Sequence, residues 1–215
     1  MDAPRWLTEQ DVLRARDRGD AVVVDAGTKL TPAAIDAARL YRVTVVPADA
    51  RNRHDWRPLR GHAVRVAIAG DHGAYSMKRD LVSLLRGWEY EVSDLGTHSE
   101  EAVDYPDFAL AAALAVARGQ AHCGVILDGA GIGSCMVANK VPGILAANCH
   151  TVAAAKNSRE HNDANVLTLG AKMIDLAVAG EVLKAWLETP FGGGRHQRRV
   201  DKVVAVERRH LRPGA

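Results

Sequence analysis

From Val64 onward, short apolar runs of strand length alternate with stretches whose apolar residues recur every three or four positions. Residues 64–69, 90–94, 124–127, 143–148 and 166–169 read as strands. Residues 76–86 carry Met77, Leu81, Leu84 and Leu85 at helical spacing. Residues 105–118 form an alanine-rich helix, residues 134–140 open a helix or tight turn, and helices follow at 152 to about 160, 175–187 and 197–210. Successive parallel strands need a crossover, and the helix that makes it covers the sheet. The expected fold is therefore α/β, a three-layer doubly wound (Rossmann-like) parallel sheet. Such sheets bind ligands beyond the C-terminal ends of their strands.

The front of the chain follows a different rhythm. A helix over 8–17 capped by Thr8, a strand at 21–24, a helix from Thr31 and Pro32 to about Leu40 and a strand at 43–46 make residues 1–48 a small N-terminal βα appendage. Residues 49–62 are rich in arginine and histidine and poor in apolar side chains, which reads as a linker to a main domain over 63–215. No internal repeat is expected.

Composition excludes several classes. A net charge of +2 and 5% aromatic residues argue against a nucleic-acid partner defined by charge or base stacking. No apolar stretch reaches the roughly 20 residues that cross a bilayer, and the polar N-terminus is not an export signal. Cys123, Cys135 and Cys149 show no C-x-x-C spacing, as expected for reduced thiols in a cytoplasmic protein.

Four polar clusters fall at predicted strand or helix ends. Asp71-His72 follows the first main strand, and capping the next helix accounts for them equally well. Asp128 ends an apolar run and is followed by Gly129-Ala130-Gly131-Ile132-Gly133, a loop able to present amides to an anion beside a base. Its glycines alternate, so the dinucleotide spacing G-x-G-x-x-G is absent. Residues 159–163 read Arg-Glu-His-Asn-Asp, where His161-Asn162 serves either as a helix C-cap or in catalysis. Gly192-Gly193-Gly194 leads to Arg195 and Arg199, four apart and expected on one helical face, a pattern suited to a phosphate or to a solvated face.

Together these strings resemble one family. G-D-H-G at 70–73, D-Y-P-D at 104–107, G-A-G-I-G at 129–133, A-N-K at 138–140, R-E-H-N-D-A-N-V-L at 159–167 and G-G-R-H-Q-R-R-V at 193–200 occur in order. They resemble the ribose-5-phosphate isomerase B and galactose-6-phosphate isomerase family over about residues 64–209. The resemblance implies interconversion of aldose and ketose phosphates through a cis-enediolate. It implies that His161 and Asp71 assist ring opening and that the 129–133 amides hold the enediolate. His72, Arg195 and Arg199 would hold the phosphate, and Asn162 the sugar hydroxyls. It further implies no metal or organic cofactor, and a homodimer or tetramer whose active sites are shared between subunits.

One position departs from the pattern. Many family members place a cysteine base where this chain has Asp128, and another branch places a glutamate six residues later, where this chain has Ser134. Two readings follow. Asp128 is the base, if burial raises its carboxyl toward neutrality, or the pocket binds a sugar phosphate without turning it over. A nucleotide-binding α/β protein is a third reading, disfavoured by the missing fingerprint. The strings W-L-T-E-Q-D-V-L at 6–13 and G-T-K-L-T-P-A-A at 27–34 resemble N-terminal pieces of bacterial microcompartment enzymes. That resemblance implies a shell or pathway partner for residues 1–48; a simple packed appendage is the other reading.

Overall fold

The computed structural model describes residues 5–18, 22–24, 28–41, 43, 45–47 and 64–210. The expected linker over 49–62 lies outside the described residues. The chain divides into two compact units, Met1–Arg53 with Ala205–Ala215, and His54–Val204.

The first unit is a tandem repeat, which the sequence reading missed. It contains β1 (Arg5–Leu7), α1 (Glu9–Arg18), β2 (Val22–Val24), β3 (Thr28–Leu30), α2 (Pro32–Leu40) and β4 (Val45–Pro47). β1 pairs in parallel with β3, and β2 with β4, with Arg5 opposite Thr28 and Val22 opposite Val45. Both registers are offset by 23 residues (28 − 5 and 45 − 22). At that offset Leu7-Thr8 aligns with Leu30-Thr31, Ala15-Arg16 with Ala38-Arg39, and Val22-Val23 with Val45-Val46. Each copy is one strand–helix–strand unit, and Val12, Ala15, Ala34, Ala37 and Ala38 bury the faces where the copies meet. Strands β1 and β3 were not expected, because three-residue runs with a lysine or arginine carry no legible period.

The second unit is the expected doubly wound sheet. β5 (Arg65–Gly70), β6 (Glu91–Asp94), β7 (Cys123–Asp128), β8 (Ala146–Asn148) and β9 (Val166–Gly170) pair in parallel in the order β6-β5-β7-β9-β8. The helices are α3 (Tyr75–Gly87), α4 (Tyr105–Ala117), α5 (Ile132–Ala138), α6 (Val152–Asn162), α7 (Leu176–Glu188) and α8 (Gln197–His210), the last belonging to this unit through Val204. Alternation within each strand separates two cores. Ile68, Val125, Leu127 and Leu169 face Leu81, Leu85, Val182 and Trp186 from α3 and α7. Ala67, Ala69, Ile126 and Val166 face the alanines of α4 and Ala138 of α5. β7 is buried along its whole length, as a central strand covered on both faces must be.

This strand order has a switch point between β5 and β7. The chain leaves β5 toward α3 on one face and β7 toward α5 on the other. The crevice between two such diverging connections is where open α/β sheets bind ligands.

Candidate active site

Asp71 and Asp128 stand on either side of that crevice. The Asp71 amide donates to Leu127 O at 3.1 Å, which fixes the end of β5 against the end of β7. Asp71 Oδ1 accepts from the Ala74 amide at 3.1 Å and caps the 3-10 turn His72–Ala74, so the capping expected from sequence is present. His72 Nδ1 lies 3.2 Å from the Val103 amide. The Val103 carbonyl oxygen lies 3.3 Å from the same nitrogen, so this ring edge is held against the Val103 backbone in either tautomer.

Asp128 is only 6% exposed, and its carboxylate is held on three sides. Oδ1 accepts from the amides of Ala130, at 2.8 Å, and Gly131, and Oδ2 accepts from the Ser134 amide at 2.9 Å. The loop curls because Gly131 takes φ 75°, and a Cβ there would lie 2.7 Å from Asn148 Oδ1. Asn148 Nδ2 donates to Ala130 O and ties the loop to β8. A Cβ on Gly133 would meet the Tyr105 ring at 2.6 Å, so that ring lies directly against the loop.

The two carboxyls are driven in opposite directions. Burial pushes Asp128 up, but the bonds from Ser134, Gly131 and Ala130 outweigh it and hold the carboxyl below its ordinary value. The expectation that burial would raise Asp128 toward neutrality is therefore corrected. The same amides that were expected to serve only the substrate anion already stabilise the carboxylate. Asp71 moves up instead: burial contributes most, the Ala74 amide offsets part, and the Asp128 charge adds to the rise. Neighbouring groups whose proton affinities are pushed apart are suited to act as acid and base.

A raised folded-state pKa means that stability is fully present below the unfolded value and is lost as pH rises through the folded one. Asp71→Asn, which keeps the neutral form and an oxygen for the cap, should raise the melting temperature at pH 7 to 8. The gain should shrink as pH falls through the raised folded-state value, where the wild-type carboxyl takes up its own proton. Thermal scans across that range check this, and a variant destabilised at pH 7 would contradict it.

The remaining predicted residues gather elsewhere. α6 runs to Asn162, so His161 and Asn162 sit in its last turn, and the C-cap is Asp163 with φ 51°. His161 Nδ1 lies 2.9 Å from Asn157 Nδ2, an acceptor position that leaves the proton on Nε2. The His196 ring stacks on His161 with centroids 4.3 Å apart and planes 6° from parallel. Burial, then the charges of His161, Arg195 and Arg199, push His196 below its ordinary value. Arg195 Nε lies 3.4 Å from His196 Nε2. Arg195 precedes α8 in a turn and only Arg199 lies in the helix, which corrects the expectation of one helical face. Both guanidinium groups are exposed, available to an anion.

These two groups lie at opposite edges of the sheet. All strands run parallel, so Asp71 and Asp128 mark the C-terminal edge. His161 and Asn162 end a helix just before β9 begins, at the N-terminal edge, and the Gly192 amide donates to Glu160 O at 2.9 Å to bring the α8 loop there too. β9 has five residues, so the two edges are about 15 Å apart at ~3.3 Å per residue.

His196, Tyr105, Asn148 and Ser134 were not picked out as working residues. His196 and Tyr105 lay inside quoted motifs, but only the fold shows one stacked on His161 and the other against Gly133.

Residues 66–203 match the Ribose/Galactose Isomerase family. The chain belongs to this family. Ribose-5-phosphate isomerase B of Escherichia coli is 41% identical over 145 residues, 67% of this chain and 97% of that protein. The structure of ribose-5-phosphate isomerase B from Clostridium thermocellum superposes with a TM-score of 0.68 at 44% identity, covering 69% of this chain and all of the other. That of Mycoplasma genitalium, with bound ribulose 5-phosphate, gives 0.67 at 35% identity, covering 70% of this chain and all of the other. The family domain thus begins at β5, and the tandem-repeat unit stands in front of it. Among the described residues no group of acidic, histidine or cysteine side chains is arranged to hold a metal, and no helix is long and apolar enough to cross a membrane.

Proposed function

We propose that the chain is an aldose–ketose isomerase acting on a five-carbon sugar phosphate, ribose 5-phosphate to ribulose 5-phosphate, through a cis-enediolate, with Asp128 as the base. The observation that carries this reading is the Asp71–Asp128 pair at the switch point: an ionised carboxylate beside a carboxyl held toward its neutral form, at a glycine loop rich in amides. Relatives that share this domain include ribose-5-phosphate isomerases B.

In this scheme Asp71 and His161 move protons at the ring oxygen and anomeric hydroxyl. Asp128 takes the C2 proton, and the pair of electrons from that bond forms the C1=C2 double bond. Asn162 holds sugar hydroxyls; His72, Arg195 and Arg199 hold the phosphate. Because the two groups lie at opposite edges of one sheet, a complete site takes Asp71, His72 and Asp128 from one copy. His161, Asn162, Arg195 and Arg199 come from a second. This geometry supports a homodimer with shared sites. The second reading, a sugar-phosphate binder without turnover, is favoured only by how firmly Asp128 is held.

Exchange of the C2 hydrogen of ribose 5-phosphate in deuterated water separates the two. The wild-type protein should catalyse exchange, and Asp128→Asn should slow it by at least about 100-fold, the usual worth of a positioned general base. Exchange at the wild-type rate in that variant would remove Asp128 as the base, and no exchange by the wild type would leave only binding.

A further inference from the structure

The way Asp128 is held has a chemical consequence for the proposed reaction. A cysteine or glutamate base would leave the loop amides to the substrate. Here the Ala130 and Gly131 amides both donate to Asp128 Oδ1, and the Ser134 amide donates to Oδ2. Ser134, fully buried beside this carboxylate, also helps hold it ionised through its side chain. The loop is thus an anion site whose resident anion is the base itself.

We infer that Asp128 and the enediolate occupy this anion site in turn, the base giving up the Ala130 and Gly131 amides as it takes the proton. The balance is exact in charge. The C2–H bond breaks and its proton joins an Asp128 oxygen. The C–H electrons form the C1=C2 bond, and the π electrons of the C1 carbonyl move to O1, which becomes the oxyanion. One negative charge leaves Oδ1 and one appears on O1. A protonated carboxyl is a weaker acceptor than a carboxylate. The amides therefore turn to the stronger anion without a second negative charge ever entering the loop. The O2 hydroxyl then passes its proton to O1, the electrons on O2 form the C2=O2 bond, and the C1=C2 electrons take the proton back from Asp128 at C1. This restores the carboxylate and its bonds, and the ketose is released from a site already refilled. Ser134 Oγ–H is placed to follow the charge from one oxygen to the other.

The inference rests on the isomerase reading, and the test separates the two. The probes are a four-carbon aldonic acid phosphate, whose carboxylate carries the enediolate charge, and ribitol 5-phosphate, which has the phosphate and hydroxyls but no charge at the reacting end. Asp128→Asn imitates the protonated base. It should therefore be inactive yet bind the aldonic acid phosphate at least about tenfold more tightly than the wild type at pH 8, since two like charges a few ångströms apart repel strongly. Ribitol 5-phosphate should bind both proteins within about twofold, which also shows that the variant is folded. The ratio of the two aldonate affinities should hold from pH 8 to pH 6, because the wild-type carboxyl, held below its ordinary value, stays ionised across that range. The phosphate titrates alike in both proteins and cancels. Equal or weaker aldonate binding by Asp128→Asn, with ribitol 5-phosphate still bound, overturns the exchange of anions alone. Failure of ribitol 5-phosphate to bind the wild type overturns the sugar-phosphate site together with it.

Discussion

Two inactive variants mixed together should regain activity. Asp128→Asn removes the proposed base at the C-terminal edge of the sheet, and His161→Asn removes the histidine proposed for ring opening at the opposite edge. With the proposed shared-site dimer, each variant alone should be nearly inactive. In a mixed dimer, one site inherits both lesions, and the other receives the intact Asp128 of one copy and the intact His161 of its neighbour. Random reassociation makes half of the dimers mixed, with one working site in two, so about a quarter of wild-type activity should return. If all the working residues met within one chain, every site in the mixture would carry a lesion and nothing would return. Unfolding and refolding the two variants together, followed by the isomerase assay, reads the difference. The effect is large because the starting level is close to zero. The geometric basis is the separation of about 15 Å between the two edges of a five-residue strand, which no side-chain rotation spans.

How much of this was legible in the sequence depends on how local the determining physics is. The central strands β5, β7 and β9 are readable because each is a short, largely apolar run ended by a turn or a polar residue. Helix starts were readable where a Thr or Asp caps them, as Thr151 and Asp175 do. The front repeat was not, because its copies share only scattered residues and its strands are three residues long. The parallel register at a constant offset is what exposes it. At the site, the residue types were legible and their grouping was not. Sequence order places Asp128 closer to His161 than to Asp71, whereas the sheet puts Asp71 beside Asp128 and sends His161 to the far edge. The direction in which the Asp128 carboxyl is pushed escapes the sequence for a related reason. Burial can be guessed from an apolar run, but three amides folding back on one carboxylate depend on the left-handed turn at Gly131.

The R-E-H-N-D-A-N string also divides in a way only packing reveals, and this sets the largest expected loss of stability. His161 and Asn162 lie on the surface side of α6, while Arg159 is 1% exposed. Its Nη1 donates to Asp163 Oδ1 at 2.9 Å and to Ala164 O at 2.7 Å, and its guanidinium lies 5.7 Å from the centre of the buried Trp186 ring. Asp163 takes the left-handed conformation that ends the helix, so the arginine clamps the turn carrying His161 against α7. Asn165 continues the clamp, accepting from the Leu145 amide and donating to Gly143 O, both at 2.8 Å. Removing one member of a buried charge pair leaves the other in a medium that solvates it badly, typically at a cost of about 3–5 kcal/mol. Arg159→Met should therefore lower the unfolding free energy by about that amount, and the melting temperature by roughly 10 °C for a unit of this size. Asp163→Asn keeps a side chain that tolerates the left-handed turn while deleting the charge. The double variant should then lose less than the two single losses added together, because the uncompensated carboxylate is gone. Urea titrations of the four proteins give both numbers. A loss under about 1 kcal/mol for Arg159→Met, or strict additivity in the double variant, would mean that the pair does not clamp the helix end. Where the clamp holds, turnover should fall with stability in Arg159→Met even though the arginine is buried, since the stacked His161 and His196 rings depend on the turn it fixes.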